Sequence, residues 1–368
     1  MTARYGQLTY TSFTDAGNPG GWQVKETVGG VTAAEANLLV AGIRTGLNPL
    51  EPLPPYPSSE RLAAFPRRLS YRRFDDDTAA YWHVAPAGLD SSGRPGNVFA
   101  HALLDRQAML TEPRPIELWQ SPHWLTPYGS KAVSAATLCD ADPVTGEVAT
   151  AESAVRFVCD PDQRRLSVLC VLLDAVAAAM ATGSQVVLGV ESVGSAAQWI
   201  GAVSFLTSPA TARRLNFSTF DRGPDLWYAP RTDEHLVAIP RADLPDFATG
   251  HIVIDEAETV SLGGLGGPPH RTARSQVAAT VWSAMARIAL ADQDSAFQVL
   301  ADINRVSSRV AGRTAGGDPH PALPMAFAVL GRPALADAAA AARAAIAAPL
   351  AENRAENRAE PNAWTYRG

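Results

Sequence analysis

The order of apolar segments in the second half of the chain constrains its fold most strongly. Residues 163–182 have a helical pattern, and the short apolar run 185–190 that follows is typical of a buried strand. A second helical pattern over 195–206 leads to a strand at 215–220. Strand, helix and strand in this order indicate a crossover connection within a sheet that helices cover. This half is also expected to contain a short helix from Pro209, strands at 236–239 and 251–255, and helices at 276–292, 295–309 and 334–348.

The first half is patterned mainly as strands. Thr32, with Glu35 three residues later, is a capping-box pattern and predicts a helix that ends near Arg44. Residues 98–104 are an apolar run with one histidine, for which periodicity leaves a strand and a helix start open. The turn-rich segment before this run favours a strand. The other strands are expected at 4–13, 22–28, 69–74, 79–86 and 116–119, with turns at 17–21 and 75–77.

The length of 368 residues is too great for one ordinary core and indicates two domains with an extension. We expect a mixed α+β and α/β protein, in which two sheet-containing domains with covering helices precede a helical C-terminal part. The predicted units are a mainly-β α+β domain at 1–140, an α/β domain at 153–310, and an Ala-rich helical extension with a polar tail at 311–368, which contains the repeat AENRAENRAEP. The proline-rich segment 48–57 is expected to be a rigid connector, with an SH3-type ligand as the alternative.

Composition excludes some classes of function. From the net charge of −6 we expect no sequence-independent binding of nucleic acid, because binding to phosphates needs an excess of basic residues. The sequence has no unbroken apolar run of 18 residues, so we expect no membrane span; the longest apolar stretch, Leu166–Met180, contains Asp174 and suits a core helix. Three scattered cysteines fit neither a zinc site nor a disulfide framework, and a reduced cytoplasmic setting is the simple interpretation.

Motifs for catalysis and cofactors are absent from the sequence. It has no P-loop, no GxGxxG after a strand, no GxSxG elbow and no HxH or HxxxH pair. The glycine-rich segment 263–267 has no lysine after it and is interpreted as a connector. We therefore expect no metal and no cofactor, and we favour a binding protein over an enzyme.

The most unusual segment is SSGRPGNVFAH at 91–101. A polar turn with Ser92 and Arg94 runs into an apolar strand in which Asn97 and His101 lie on one side. Arg94 could clamp a carboxylate or phosphate, which makes this segment a candidate ligand or partner site. The structural alternative is that Arg94 and Asn97 cap a turn and that His101 donates to a buried carbonyl group.

A second candidate lies at the ends of two apolar strands. Glu191 and Asp221 follow the runs 185–190 and 215–220, where open α/β sheets place their ligand crevices. A pair of carboxylates there could carry out acid–base chemistry. Nothing in the sequence shows that the two side chains meet.

Several ordered segments resemble a known family. LTYTSF, GNPGGWQVKETVGGVT, YWHVAPAG and SSGRPGNVFAHALLD are similar to the type 2 N-terminal domain of GTPase-associated protein 1, and VVLGVESVGSAAQWIGAVSFLTSPATARRLNFSTFDR, HLVAIPRADLPD and HIVIDEAETV are similar to its middle domain. The resemblance covers roughly residues 4–290. The matching positions most worth testing are Tyr10, Ser12, Arg94, Asn97, His101, Trp199 and Phe217, the last two expected in the core.

The resemblance implies a function in bacterial conflict systems, where members of the family accompany a GTPase and other partners. It assigns no catalytic residue. Members of the family continue into a larger C-terminal region, whereas this sequence ends in the Ala-rich segment and its polar tail. We expect a non-catalytic adaptor that binds a GTPase or an effector. The alternatives are a hydrolase, or a sensor of small anions, with its site around Arg94, Asn97 and His101.

Overall fold

The computed structural model describes residues 3–14, 20–54, 57–74, 77–110, 113–228, 233–246, 250–310, 320–336 and 338–340. The α+β class predicted from the sequence is confirmed, with a large mixed sheet and covering helices. The AENRAENRAEP tail, most of the predicted helix at 334–348 and parts of the turns at 17–21 and 75–77 lie outside the described residues.

Antiparallel strands dominate the first part of the fold. Its elements are β1 (Tyr5–Ser12), β2 (Trp22–Val28), α1 (Ala33–Gly42), α2 (Ser59–Ala64), β3 (Arg68–Arg73), β4 (Ala79–Leu89) and β5 (Pro95–Asp105). The strands are hydrogen-bonded in the order β2-β1-β5-β4-β3. The predicted capping box begins α1, because the Thr32 hydroxyl accepts from the Glu35 N–H and the Glu35 carboxylate accepts from the Thr32 N–H.

Helices and short strands form the rest. The helices are α3 (Ser130–Ala135), α4 (Ala151–Val158), α5 (Arg165–Thr182), α6 (Val193–Phe205), α7 (Pro209–Ala212), α8 (Gly223–Tyr228), α9 (Val281–Ala289), α10 (Gln293–Val310), α11 (Leu323–Leu330) and α12 (Pro333–Ala336). The strands are β6 (Val186–Val190), β7 (Phe217–Ser218), β8 (Leu236–Pro240), β9 (Ile252–Asp255), β10 (His270–Arg271) and β11 (Gln276–Val277). Short 3-10 helices occupy Ala108–Leu110, Pro115–Leu118 and Arg241–Asp246.

The two groups of strands join into one large sheet, except for β10 and β11, which pair with each other in a small sheet of their own. Strands β7, β8, β6 and β9 are parallel, and β6–α6–β7 is the crossover unit that the sequence predicted. Strand β3 then pairs antiparallel with β7, so that the sheet has nine strands in the order β2-β1-β5-β4-β3-β7-β8-β6-β9. We expected a sheet in each of two domains. The single sheet differs because the β3–β7 pairing joins segments almost 150 residues apart, which no local pattern encodes.

The main core lies where helices cover the parallel strands. Helices α5 and α6 pack on β6, and α9, α10 and α11 pack around them. Helix α5 is the one helix of the described residues that is long and apolar enough to cross a membrane, and 61% of it is buried inside the protein. Its packing is that of the core helix predicted for Leu166–Met180. Trp199 and Phe217 are fully buried, as expected.

Some predicted elements are wrong or shorter in the structure. The strand predicted at 116–119 is instead the 3-10 helix Pro115–Leu118, because Pro115 lacks an N–H and fits the first position of a helix. The helix predicted from Gln276 begins at Val281, since residues 276–277 pair with β10 as β11. The strand predicted over 215–220 is reduced to β7.

A buried ion network lies where the two groups of strands meet. The Asp221 carboxylate pairs with Arg44 at 2.5 Å and with Arg68 at 3.2 Å, and Arg44 also pairs with Glu234. Arg68 donates further to the carbonyl oxygens of Phe220, Arg44 and Gly46. Burial by itself raises the pKa of the Asp221 carboxyl, but the charges of the two arginines outweigh burial and hold this pKa below its ordinary value.

We predict that Asp221→Asn lowers the free energy of unfolding by about 3–5 kcal/mol, because the buried Arg68 guanidinium loses its carboxylate partner while Arg44 keeps only Glu234. The matched control is Glu51→Gln, which breaks the exposed Glu51–Arg61 pair and is expected to cost about 0–1 kcal/mol. Urea unfolding at neutral pH measures both. Equal losses in the two variants would contradict a structural role for the network.

Candidate functional site

The residues of the predicted 91–101 site are engaged in the fold. The Asn97 side chain accepts from the Ser12 N–H at 3.2 Å and donates to the carbonyl oxygens of Ser12 and Leu89, at 2.9 Å and 3.2 Å. Asn97 and Ser12 are both buried. These bonds hold the ends of β1, β4 and β5 together beside the turn.

Ser92 and Arg94 belong to a turn that Asp90 organises. The Asp90 carboxylate accepts from the N–H of Ser92, from its hydroxyl and from the N–H of Arg94, at 2.7–2.8 Å. These bonds lower the pKa of Asp90. Ser92 and Arg94 are exposed.

Tyr10 stacks on Trp22 with ring centroids 5.9 Å apart. It lies on the sheet face opposite to His101, because it follows Thr9, which is the partner of His101 across β1 and β5.

His101 is buried within a chain of hydrogen bonds. Its Nδ1 accepts from the Leu125 N–H at 3.3 Å, so its Nε2 carries the proton and donates to the Gln7 side-chain oxygen at 3.0 Å. The Gln7 amide in turn donates to the carbonyl oxygen of Cys139 at 2.9 Å. Burial lowers the pKa of His101 well below its ordinary value, with smaller contributions from His123 and His83.

The structure therefore brings Ser12 and Asn97 together and gives Tyr10, Arg94 and His101 separate surroundings. The bonds of Asn97 and His101 account for their burial without a ligand. The ligand or partner role of the segment stays a prediction.

The strand-end carboxylates do not form an acid–base pair. Asp221 is neutralised inside the ion network, whereas Glu191 is largely exposed and pairs with Arg241 at 2.5 Å. Both nevertheless follow the carboxyl ends of parallel strands, where sheets of this kind place their crevices.

A cleft of about 390 Å³ does lie at this edge of the sheet. Its floor is formed by the residues that end or follow β6, β7 and β8, namely Val190, Phe220 and Pro240. The opposite wall is formed by the proline-rich residues 49–53 and by 64–66 at the end of α2. The residues 48–57, for which the sequence predicts a rigid connector or an SH3-type ligand, supply part of this wall. No local pattern indicates that role, because the fold, and not the local sequence, brings the segment to the strand ends.

The cleft is predominantly apolar and its charged side chains have partners. Glu51 pairs with Arg61 at 3.2 Å across its rim, and Glu191 pairs with Arg241. Leu50, which lines the cleft, has 56% of its surface exposed. An apolar cleft with paired charges is suited to binding apolar groups rather than to proton transfer.

The start of α6, at one end of the cleft, is neutralised by Glu256. Its carboxylate accepts from the N–H of Glu191, from the hydroxyl of Ser195 and, at 2.7 Å, from the indole N–H of Trp199. Ser192 caps the helix by accepting from the Ser195 N–H at 3.0 Å. The positive end of the helix dipole is thus matched by a carboxylate of the protein itself.

A second group of side chains contains the residue types of a catalytic triad, but its geometry is that of a structural hydrogen-bond network. His270, Asp174 and Ser283 are buried together, but the carboxylate and the hydroxyl contact the same ring nitrogen, His270 Nε2, at 2.9 Å and 3.3 Å. A catalytic triad needs its base to bond the nucleophile through one nitrogen and the carboxylate through the other. Here the other nitrogen accepts from the Gly263 N–H at 2.8 Å, and Asp174 also accepts from the Thr280 N–H and hydroxyl at the start of α9.

No group of three or more His, Cys, Asp or Glu side chains among the described residues could hold a metal ion.

Comparison with known proteins identifies the family. Residues 4–139 match the model of GTPase-associated protein 1, N-terminal domain type 2, and residues 162–257 match the model of its middle domain. The chain belongs to the GTPase-associated protein 1 family. The resemblance drawn from the sequence segments is thereby confirmed.

Two relatives carry the name "Putative ESX-1 scaffolding and assembly protein SaeB". They come from Mycolicibacterium smegmatis, strains mc(2)155 and MKD8, and each is 52% identical to this chain over 340 residues. The match covers 92% of this chain and 41% of each relative, so the chain spans less than half of their length.

We predict that His83 makes the stability of the protein depend on pH. Burial, aided by the charge of Arg67, lowers the pKa of His83 to about 3, so below pH 6.5 the unfolded chain takes up a proton that the folded chain does not. The free energy of unfolding should therefore decrease as the pH is lowered below about 6.5. Between pH 7 and pH 5 this one group should contribute a loss of about 2 kcal/mol.

Denaturant unfolding of the wild type and of His83→Leu across this pH range measures the effect, with each protein referred to its own stability at pH 8. The loss between pH 7 and pH 5 should be smaller in the variant by that amount. Parallel pH profiles would contradict the lowered pKa of His83 in the folded protein.

Proposed function

We propose that this chain is a non-catalytic adaptor whose cleft binds an apolar segment of a protein partner. The observation that carries this proposal is the cleft at the carboxyl ends of β6, β7 and β8. It has the position of a ligand crevice, an apolar lining and charged side chains that already have partners.

The proposal of a non-catalytic role is supported by how the reactive side chains are used. Asp221 holds two arginines, Glu256 neutralises the start of α6, and Asp174 with His270 fixes the start of α9. Each of these groups is committed to the fold. A group that must change its protonation state during a reaction needs access to a substrate, which these contacts do not give.

The partner that we propose is a GTPase, in a bacterial conflict system that also contains an effector. The name of the family supports the GTPase, and the scaffolding and assembly function in the name of the relatives supports the adaptor role. We place this role in the cytoplasm, which the three free cysteines support.

We predict that Leu50→Asp weakens binding of the partner. Leu50 is 56% exposed, so the substitution should leave the fold intact while it places a charge in the apolar cleft. The matched control is Leu89→Asp, because Leu89 is 50% exposed and does not line the cleft. The tagged wild type and both variants are purified from the native cytoplasm, and the co-purifying proteins are quantified by mass spectrometry.

A GTPase should be recovered with the wild type and with Leu89→Asp, and its amount should fall at least about tenfold with Leu50→Asp, the loss expected when a central apolar contact of an interface is removed. Equal recovery with both variants would exclude the cleft as the binding surface. Recovery without any GTPase would contradict the proposed partner, and nucleotide hydrolysis by the purified chain alone would contradict the non-catalytic role.

A further inference from the structure

The cleft at the carboxyl ends of β6, β7 and β8 has exposed charges beside both its wall and its floor. On the wall side are Glu51 and Arg61, whose side chains are 81% and 55% exposed. On the floor side is Glu191, which follows β6 and has 70% of its side chain exposed. Polar rims of this kind surround the apolar centre of protein interfaces. The sign of these charges therefore bears on which segment the cleft accepts.

The charge beside the floor is negative. Arg241 is shared between Glu191 and Asp255, because its guanidinium lies 2.5 Å from one carboxylate and 2.6 Å from the other. Glu256 adds a third carboxylate, which accepts from the backbone N–H of Glu191. In the described part of the chain, Arg241 is the one cation that pairs with any of the three. Three negative charges against one positive charge leave an excess of two.

The dipole of α6 does not cancel this excess. The start of a helix carries about half a positive charge. The carboxylate of Glu256 already lies against the first turns of α6, where it accepts from the Ser195 hydroxyl and from the Trp199 indole N–H. The positive end of the helix is thus occupied by the protein itself and is not open to an acidic partner.

The exposed charges of the wall have the same sign. Glu51 lies 3.2 Å from the Arg61 guanidinium and neutralises it. Glu60, which precedes Arg61 on α2, is exposed as well. Two carboxylates against one guanidinium leave an excess of one negative charge on this side. Both borders of the apolar lining therefore favour a cation.

Electrostatic complementarity decides which apolar segments such a cleft accepts. Charges across an interface are arranged with opposite signs, and like charges placed opposite each other cost several kcal/mol. A lysine or arginine beside the apolar residues of a partner would meet Glu191, whose own cation Arg241 keeps Asp255 as a second partner. An acidic residue at the same position would meet an excess of negative charge.

We propose that the cleft selects an apolar segment flanked by lysine or arginine, with one of these basic side chains paired with Glu191. This inference rests on the proposed binding function of the cleft, to which it adds the charge of the bound segment. The apolar lining supplies the affinity, and the acidic borders exclude apolar segments with acidic flanks.

Selection of peptides by the purified full chain tests the proposal. A phage-displayed library of random peptides is bound to the chain, and phages that also bind Leu50→Asp are removed, so that only peptides that need the apolar cleft remain. The remaining peptides are expected to contain an apolar run with lysine or arginine beside it. A set with neutral or acidic flanks would overturn the proposal, and so would the absence of any peptide that needs Leu50.

Substitution of Glu191 locates the charge. A synthetic peptide of the selected sequence is titrated with the chain and followed by fluorescence anisotropy. Glu191→Lys should weaken binding at least about tenfold, because it replaces an attraction by a repulsion. The matched control is Glu152→Lys, which should leave the affinity unchanged, because Glu152 is 61% exposed, pairs with Arg156 and does not line the cleft.

Equal affinity of the two lysine variants would overturn the assignment of Glu191. Added salt should narrow the difference between them, because exposed charges are screened. A difference that does not change with salt would contradict its electrostatic origin.

Co-purification with the same variants separates this inference from the proposed function. Loss of the GTPase with Leu50→Asp but not with Glu191→Lys would leave the adaptor role and overturn the basic flank. Selection of basic apolar peptides, together with recovery of no GTPase from the native cytoplasm, would support the charge of the segment and contradict the proposed partner.

Discussion

The buried ion network around Asp221 is the interaction on which the rest of the architecture depends. Strands β3 and β7 pair over only two residues each, so the backbone contact between the two groups of strands is short. Arg68 extends it, because its guanidinium bonds at once to Asp221, to the carbonyl oxygen of Phe220 and to the carbonyl oxygens of Arg44 and Gly46. A single side chain thus fixes the end of β7 and the chain that leads into the proline-rich segment.

This constraint also sets the shape of the cleft. Phe220 belongs to its floor, and the segment that begins a few residues after Gly46 forms its wall. Apolar packing alone would fix the distance between floor and wall only loosely, because apolar contacts have no direction. The charges of the ion network must keep their geometry to offset their desolvation. We infer that the network therefore holds the floor and the wall of the cleft at a fixed distance. The charges stabilise this arrangement, while the apolar surface of the cleft stays free for a partner.

The sequence predicted what local chemistry determines. The Thr32–Glu35 capping box, the paired strands β3 and β4, and the crossover through α6 follow from signals within a few residues. The pairing of β3 with β7 and the surroundings of His101 could not be predicted, since Gln7 and Leu125 come from distant parts of the chain. The strand predicted at 116–119 was wrong because the prediction followed the apolar pattern of these residues and not Pro115, which favours the start of a helix. No motif marks Arg114, which the structure buries against α6 and α10.

A row of aromatic rings crosses the pairing of β3 with β7. The Tyr81 ring on β4 lies 4.8 Å from the Tyr71 ring on β3, and the Tyr71 ring lies 5.9 Å from the Phe217 ring on β7. These rings lie on both sides of the β3–β7 pairing. The strand that contains Phe217 leads within three residues to the cleft floor at Phe220. Close-packed interiors resist gradual deformation, so a shift of one ring must be taken up by its neighbours. Packing of one ring against the next does not by itself couple two sites energetically, because coupling requires an element with two discrete arrangements whose equilibrium both sites shift. The row does mean that the packing of β4 and β3 continues across the β3–β7 pairing to the strand that leads to the cleft floor, so the floor is held by side-chain packing as well as by the ion network.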